Sequence, residues 1–353
     1  MTRKIGFVLL ALVLIAAVLA GCGQPEPPKK AEPAPAKPAA PAAPAAPAAP
    51  AKPKIALIMS GAMNDAGWNA AAYTGLMKMK DAGTADVAFS EKVAQAEIET
   101  AIRDYASKGF NIIFGHGSEF GDPLKKVAPD FPKAYFFGIN CSIEGKNFAS
   151  MRFANWETDY MIGVLAAKMT KTNKLGSVCA MQISSMIRAY EAFKAGAKSV
   201  NPKIKVPVTF VGSYDDVNKA KQAALALIDG GADFLHINAD AAAHGAYEAV
   251  KSKNKMCIGN TNDQWQLAPD NMVTSSLRNV DKLFQTAVDM VKNNKFEGKT
   301  YIFGLKEGAV GMAPFHNFDS KIPQAVKDLI NKTRQDIIDG KIKVPILDKV
   351  TDE

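Results

Sequence analysis

The sequence predicts an α/β protein made of two doubly wound, parallel-sheet lobes with a ligand cleft between them. From Lys54 onward, short β-branched or aromatic runs alternate with amphipathic stretches of ten to eighteen residues. That alternation argues for parallel strands joined by right-handed helical crossovers. About eleven strand-like runs are present, and the rhythm restarts near Asn155. Eleven strands are too many for one small doubly wound sheet and natural for two. Ligands in open α/β sheets sit at the carboxyl ends of strands, so two lobes can face those ends to one another.

Taken in order, the strand-like runs fall at 55–60, 86–89, 111–114, 134–139, 148–153, 175–180, 206–212, 233–238, 256–260, 272–277 and 301–303. Helical stretches fall at 67–82, 93–108, 156–170, 184–200, 217–229, 242–252, 280–294 and 322–340. The strand ends are polar. After the first comes Gly61-Ala-Met-Asn64-Asp65-Ala-Gly67-Trp68-Asn69. Asn64 and Asp65 suit capping of the next helix, whereas Trp68 and Asn69, in its first turn, point toward the cleft. The third strand runs into Gly115-His116-Gly117-Ser118-Glu119-Phe120-Gly121-Asp122-Pro123. Its glycines permit close backbone approach, and Asp122 before Pro123 fits an N-cap with proline at the first helical position. Later strands end in Tyr214-Asp215-Asp216, Asn238-Ala239-Asp240 and Asn260-Thr261-Asn262-Asp263-Gln264-Trp265. Carboxylates, amides and an occasional ring are the groups that hold a small polar solute by hydrogen bonds and stacking.

The chain has 353 residues, 48% of them hydrophobic, and a formal charge of +8. These averages blend three materials. Residues 1–21 carry a basic start, an apolar core from Ile5 to Ala20 and small residues before a cut site, as a secretory signal does. The apolar stretch is short for a spanning helix. Leu19-Ala20-Gly21-Cys22 resembles the lipobox of bacterial lipoproteins. That resemblance implies diacylation of Cys22, which becomes the new N-terminus, and a protein held extracytoplasmically on the cell membrane by its lipid. Gly23 supplies no Asp-type signal for inner-membrane retention. Residues 22–53 then form a tether holding 11 of the 20 prolines, with a Pro-Ala-Ala repeat from Pro38 to Pro50. Such a segment builds no core and acts as a spacer. Leader and tether contribute +2 each, leaving about +4 on residues 54–353. That charge is too small and scattered for a nucleic-acid partner. With Cys22 used by lipid, Cys141, Cys179 and Cys257 remain, with neither zinc spacing nor a required pairing.

The folded part resembles the basic membrane protein (BMP/Med) family of substrate-binding lipoproteins, which includes the purine nucleoside receptors. The likeness rests on Asn64-Asp65-Ala-Gly67-Trp68-Asn69, Phe120-Gly-Asp122-Pro-Leu-Lys-Lys-Val-Ala128, Met161-Ile-Gly163-Val-Leu-Ala-Ala-Lys168, Val211-Gly-Ser-Tyr214-Asp-Asp216, Gly259–Gln264 and Thr274-Ser275-Ser-Leu-Arg278-Asn-Val-Asp281. It implies a type I periplasmic-binding-protein fold. Lobe 1 would comprise 54–155 and about 278–305, and lobe 2 about 156–277 and 306–353. It also implies delivery of a small solute, of purine or nucleoside type, to an ABC permease. Asn69 matches a turn Asn that contacts ligand in the family, and Asp122 an acidic position at the cleft. Thr261 stands where the family has an Asp, and Arg278 where many members have Lys, adding a planar fork. These departures imply an altered ligand.

The ligand-binding set expected from sequence is therefore Trp68 for stacking, Asp122 and Asp240 as acceptors, and Asn69, Asn262 and Arg278 to orient the solute, with Tyr214 and Asp263 beside them. A tethered sensor for a signalling receptor is the alternative. An enzyme acting on nucleosides or sugars is disfavoured. His116, His236, His244 and His316 have no metal spacing, no phosphate loop or Gly-x-Ser-x-Gly occurs, no nucleophile–base pair is visible, and no cofactor is expected.

Overall fold

A computed structural model of the chain describes residues 52–352. The expected leader, Cys22 and nearly all of the tether lie outside the described residues. The chain begins with β1 (Lys54–Met59), α1 (Trp68–Asp81), β2 (Asp86–Ser90), α2 (Ile98–Ser107), β3 (Ile112–His116), α3 (Gly121–Val127), β4 (Tyr135–Ile139) and β5 (Phe148–Phe153). There follow α4 (Asn155–Met169), β6 (Leu175–Cys179), α5 (Ser184–Val200), β7 (Val208–Phe210), α6 (Val217–Asp229), β8 (Phe234–Asn238) and α7 (Ala243–Ser252). The last elements are β9 (Met256–Thr261), β10 (Met272–Arg278), α8 (Val280–Lys292), β11 (Thr300–Phe303), β12 (Val310–Met312) and α9 (Gln324–Ile338).

These strands form two six-stranded sheets. The first, in the order β11-β5-β4-β3-β1-β2, is parallel throughout. The second, β12-β10-β9-β8-β6-β7, is parallel except that β12 runs antiparallel to β10. The chain crosses between sheets after β5, after β10 and after β11. "Lobe 1" and "lobe 2" below mean the first and second sheet with their helices. Ile55 to Met59 of β1 are all fully buried. A central parallel strand covered on both faces needs such an unbroken apolar run.

Helix packing within lobe 2 depends on two glycines. A Cβ on Gly163 of α4 would collide with the Phe193 carbonyl of α5, and one on Gly196 of α5 with the Tyr160 carbonyl of α4. The two backbones therefore approach more closely than any side chain allows. Met161 to Ala166 are buried without interruption, which makes α4 a core helix rather than an amphipathic one. After α9 the chain returns over α5. Arg188 grips Asp348 through two bonds of 2.7 and 2.9 Å. The buried Glu191–Lys194 pair (2.9 Å) holds Thr351, whose N–H and hydroxyl each donate to Glu191 at 2.8 Å.

Three local expectations are corrected. The strand β12 was not foreseen, because Val310-Gly311-Met312 is too short to show a period. α2 starts at Ile98, preceded by a 3-10 turn at Gln95–Glu97, rather than near Val93. Asp122 does not cap α3. A 3-10 turn at Ser118–Phe120 feeds straight into the helix, so Phe120 holds the cap position, Asp122 sits exposed in the first turn and Pro123 is third.

Candidate ligand-binding site

The site is built around the turn between β1 and α1. The Asp65 carboxylate gathers the free N–H groups at the helix start. Oδ1 accepts from Gly67 and Ala70, and Oδ2 from Asn69, each at 2.9 Å. Capping by Asp65 is therefore observed, although Gly67 occupies the formal cap position. Asp65 Oδ2 also takes the Asn69 side-chain Nδ2 at 2.8 Å. Asn69 is buried, with its Nδ2 held by Asp65, and its Oδ1 has no protein partner.

Trp68 does not present a free ring. Its indole lies flat on His116, with centroids 3.9 Å apart and planes at 16°, and meets Phe153 edge-on. Trp68 Nε1 donates to the His116 carbonyl at 3.3 Å, while His116 Nε2 lies 3.0 Å from the Trp68 carbonyl. The Arg278 guanidinium sits 5.5 Å from the indole centroid. His116 is wholly buried, and burial pushes it down to about 4, with Arg278 acting the same way against Trp68 and Asp65. It is a neutral ring that supports Trp68.

Three side chains of lobe 2 hold this turn directly. Asp240 Oδ1 accepts the Trp68 N–H at 3.3 Å, Asn262 Nδ2 donates to the Gly67 carbonyl at 2.9 Å, and Gln264 Nε2 donates to the Ala66 carbonyl at 2.9 Å. Gly67 is required here, because a Cβ would lie 2.5 Å from Asp240 Oδ1. Ala66, Asp240 and Thr261 all take positive φ, at 57°, 46° and 73°. For a β-branched residue such as Thr261 that conformation is strained. Its hydroxyl bonds Asn260 Oδ1 at 2.9 Å. Burial, chiefly, and Asp65 push Asp240 up to about 6, opposed by Arg278 and the Trp68 N–H.

The remaining expected residues scatter around this seam. Tyr214 is 38% exposed, and burial together with Asp240 and Glu119 pushes its phenol up to about 12. Asp263 turns its Oδ2 to His316 Nε2 at 2.7 Å, and His316 stacks on Trp265 at 4.7 Å. Arg278, at the end of β10, makes no ion pair among the described residues, and its buried Nε has no partner. Burial lowers its pKa, with Asp159 and Asp240 opposing. A cavity of about 180 Å³ lies beside it, lined by Thr74, Gly75 and Lys78 of α1 together with Thr261, Asn262 and Arg278.

Two residues were missed. Glu119, a member of the flagged loop after β3, accepts from Ser60 Oγ at 2.6 Å and acts electrostatically on Tyr214 of the other lobe. Gln264 bridges the lobes and is itself fixed by Tyr247 Oη at 2.5 Å and Asn260 N at 2.9 Å. The expectation of no nucleophile–base pair also needs correction. Ser177 Oγ lies 3.0 Å from His236 Nδ1, and His236 Nε2 lies 3.6 Å from Asp159 Oδ1. All three are wholly buried, and the imidazole stacks on Phe193 at 4.8 Å. Cys141, Cys179 and Cys257 are free and buried.

Two α/β lobes that meet at the carboxyl ends of their strands, joined by crossing segments and bridged through short polar contacts, define a two-lobed solute-binding protein. The chain belongs to the Bmp family, described as ABC transporter substrate-binding protein PnrA-like, which matches residues 52–348. It is similar to the ABC transporter nucleoside-binding protein BmpA of Lactococcus lactis subsp. cremoris (strain MG1363), at 32% identity over 310 residues, 81% of this chain and 87% of that one. It is also similar to a purine-binding protein of Brucella abortus (strain 2308), at 29% over 292 residues, 82% of each. A crystal structure of a transcriptional activator of the comK gene from Bacillus halodurans matches with a TM-score of 0.73 at 26% identity, covering 82% of this chain and 99% of that one. The fold is the type I periplasmic-binding fold.

Proposed function

We propose that this chain is the lipid-anchored receptor of an ABC importer, which captures a purine- or nucleoside-like solute between its lobes and presents it to the permease. One observation carries the reading. The strand ends of both lobes meet at a polar seam, where Asp240, Asn262 and Gln264 of lobe 2 engage residues 66–68 of lobe 1. Beside that seam lies Arg278, a half-buried cation without an ion-pair partner among the described residues. A solute touching both lobes adds its contacts only in the closed arrangement, and so shifts the population toward it. The nucleoside- and purine-binding relatives supply the ligand class.

In this reading Cys22 carries the lipid, residues 22–53 are the spacer on the extracytoplasmic face, and the lobes divide as expected from sequence. Trp68, Asn69, Tyr214, Asp240, Asn262 and Arg278 shape the site, while Asp122 and Asp263 lie at its margin. The chain performs no chemistry on its solute. A thermal-shift panel of the full chain with purines, nucleosides, sugars and amino acids tests this. Purines or nucleosides should raise the melting temperature saturably, by the equivalent of about 3 kcal/mol at a hundredfold excess over Kd. Stabilisation by sugars or amino acids alone, or by no class at millimolar concentration, would refute the reading.

A further inference from the structure

Beside Arg278, one face of lobe 2 carries a row of polar groups whose hydrogen-bonding capacity the protein leaves unused. Asn238 Nδ2, Asn260 Nδ2, Ser276 Oγ and Arg278 Nε are all buried and lack a protein partner. Ser276 is in register with Asn260. Extending the β8–β9 register, in which His236 faces Ile258, by two residues sets Asn238 beside Asn260. Arg278 follows Ser276 by two residues and shares its face. Buried groups of this kind normally find a partner.

These groups differ in what they accept. The hydroxyl of Ser276 can donate or accept by rotating. Asn260 offers its Nδ2 as an unused donor, while its Oδ1 takes the Thr261 hydroxyl. A guanidinium has donors only, set in a planar fork. Asp159 and Asp240 lie near enough to support its charge without pairing with it, so the site needs acceptor atoms and no net anion. Across the seam, Asn69 Oδ1 is an unpartnered acceptor.

We propose that the solute is a 6-oxopurine, free or as its nucleoside, and that Arg278 with Asn260 selects it against 6-aminopurines. This rests on the purine-like reading of the solute given above. In a 6-oxopurine, O6 and N7 are neighbouring acceptors spaced for the guanidinium fork, and the ring N1–H suits an acceptor such as Asn69 Oδ1. In a 6-aminopurine an N–H replaces O6 and faces another N–H, which the guanidinium cannot turn to accommodate. A site built on buried hydrogen-bonding groups rejects the mismatched analogue strongly.

Calorimetric titration of the full chain with hypoxanthine against adenine, and inosine against adenosine, tests the proposal. The oxo member of at least one pair should bind about tenfold or more tightly than its amino counterpart, and the better-binding pair distinguishes free base from nucleoside. Arg278→Met should bring the two members within about twofold, with Arg278→Lys in between. Because Arg278→Met can disturb the fold, the parent protein's own ratio decides. Equal affinities within each pair, or tighter amino members, overturn the oxopurine proposal and leave the purine reading standing. No binding by any of the four overturns both.

Discussion

Asp240 and His116 engage the backbone of the same residue, Trp68, and titrate in opposite senses. Asp240 is pushed up to about 6, so the fold binds its proton more tightly than the unfolded chain does. Its contribution to stability therefore grows as pH falls from about 6 toward 4. His116 is pushed down to about 4 and stays neutral in the fold. The unfolded chain takes that proton first, so this contribution is lost as pH falls from about 6.5 toward 4. Each effect is worth about 1–3 kcal/mol across the window, and in the parent they largely offset. Asp240→Asn should expose the histidine slope and lose stability on acidification relative to parent. His116→Phe keeps a ring under Trp68 and should gain it. Thermal melts at pH 7, 5.5 and 4.5 check this, and three parallel curves would contradict it. Sequence could name Trp68, Asn69, Asp240, Asn262 and Arg278 because strand ends advertise themselves. It could not tell that Trp68 is packed against His116, since stacking between residues 48 apart in the chain leaves no local pattern.

At the scale of elements, the contact between α4 and α5 leaves no room for a side chain at either of its glycines. Replacing Gly163 by Ala sets a Cβ against the Phe193 carbonyl, a backbone atom that no side-chain motion removes. Chemical denaturation should show Gly163→Ala destabilised by at least about 1–3 kcal/mol, whereas Gly311→Ala, with open space around its Cβ, should cost much less. Strands and long helices were legible because their apolar periods exceed a turn. The three-residue β12 was not, and of the seven-residue α3 only its presence was. Near α3 the apparent Asp-Pro cap misled, because the preceding 3-10 turn had already started the helix and moved Pro123 to its third position.

For the whole molecule, the two-sheet division followed from counting strands and from the restart near Asn155, and the carboxyl-end rule then located the seam. Which side chains bridge it was not legible, because that depends on how the lobes approach. Gln264 and Glu119 reach the seam through contacts 198 and 59 residues apart in the chain. The central claim is that solute closes the lobes on this seam. Small-angle scattering of the full chain, with and without a saturating solute found in the thermal-shift panel, tests it most directly. Solute should lower the radius of gyration, and Gln264→Ala, which removes a bridge between the lobes, should raise the solute-free value while still contracting when solute is added. A scattering profile unchanged by a solute that binds would contradict the account.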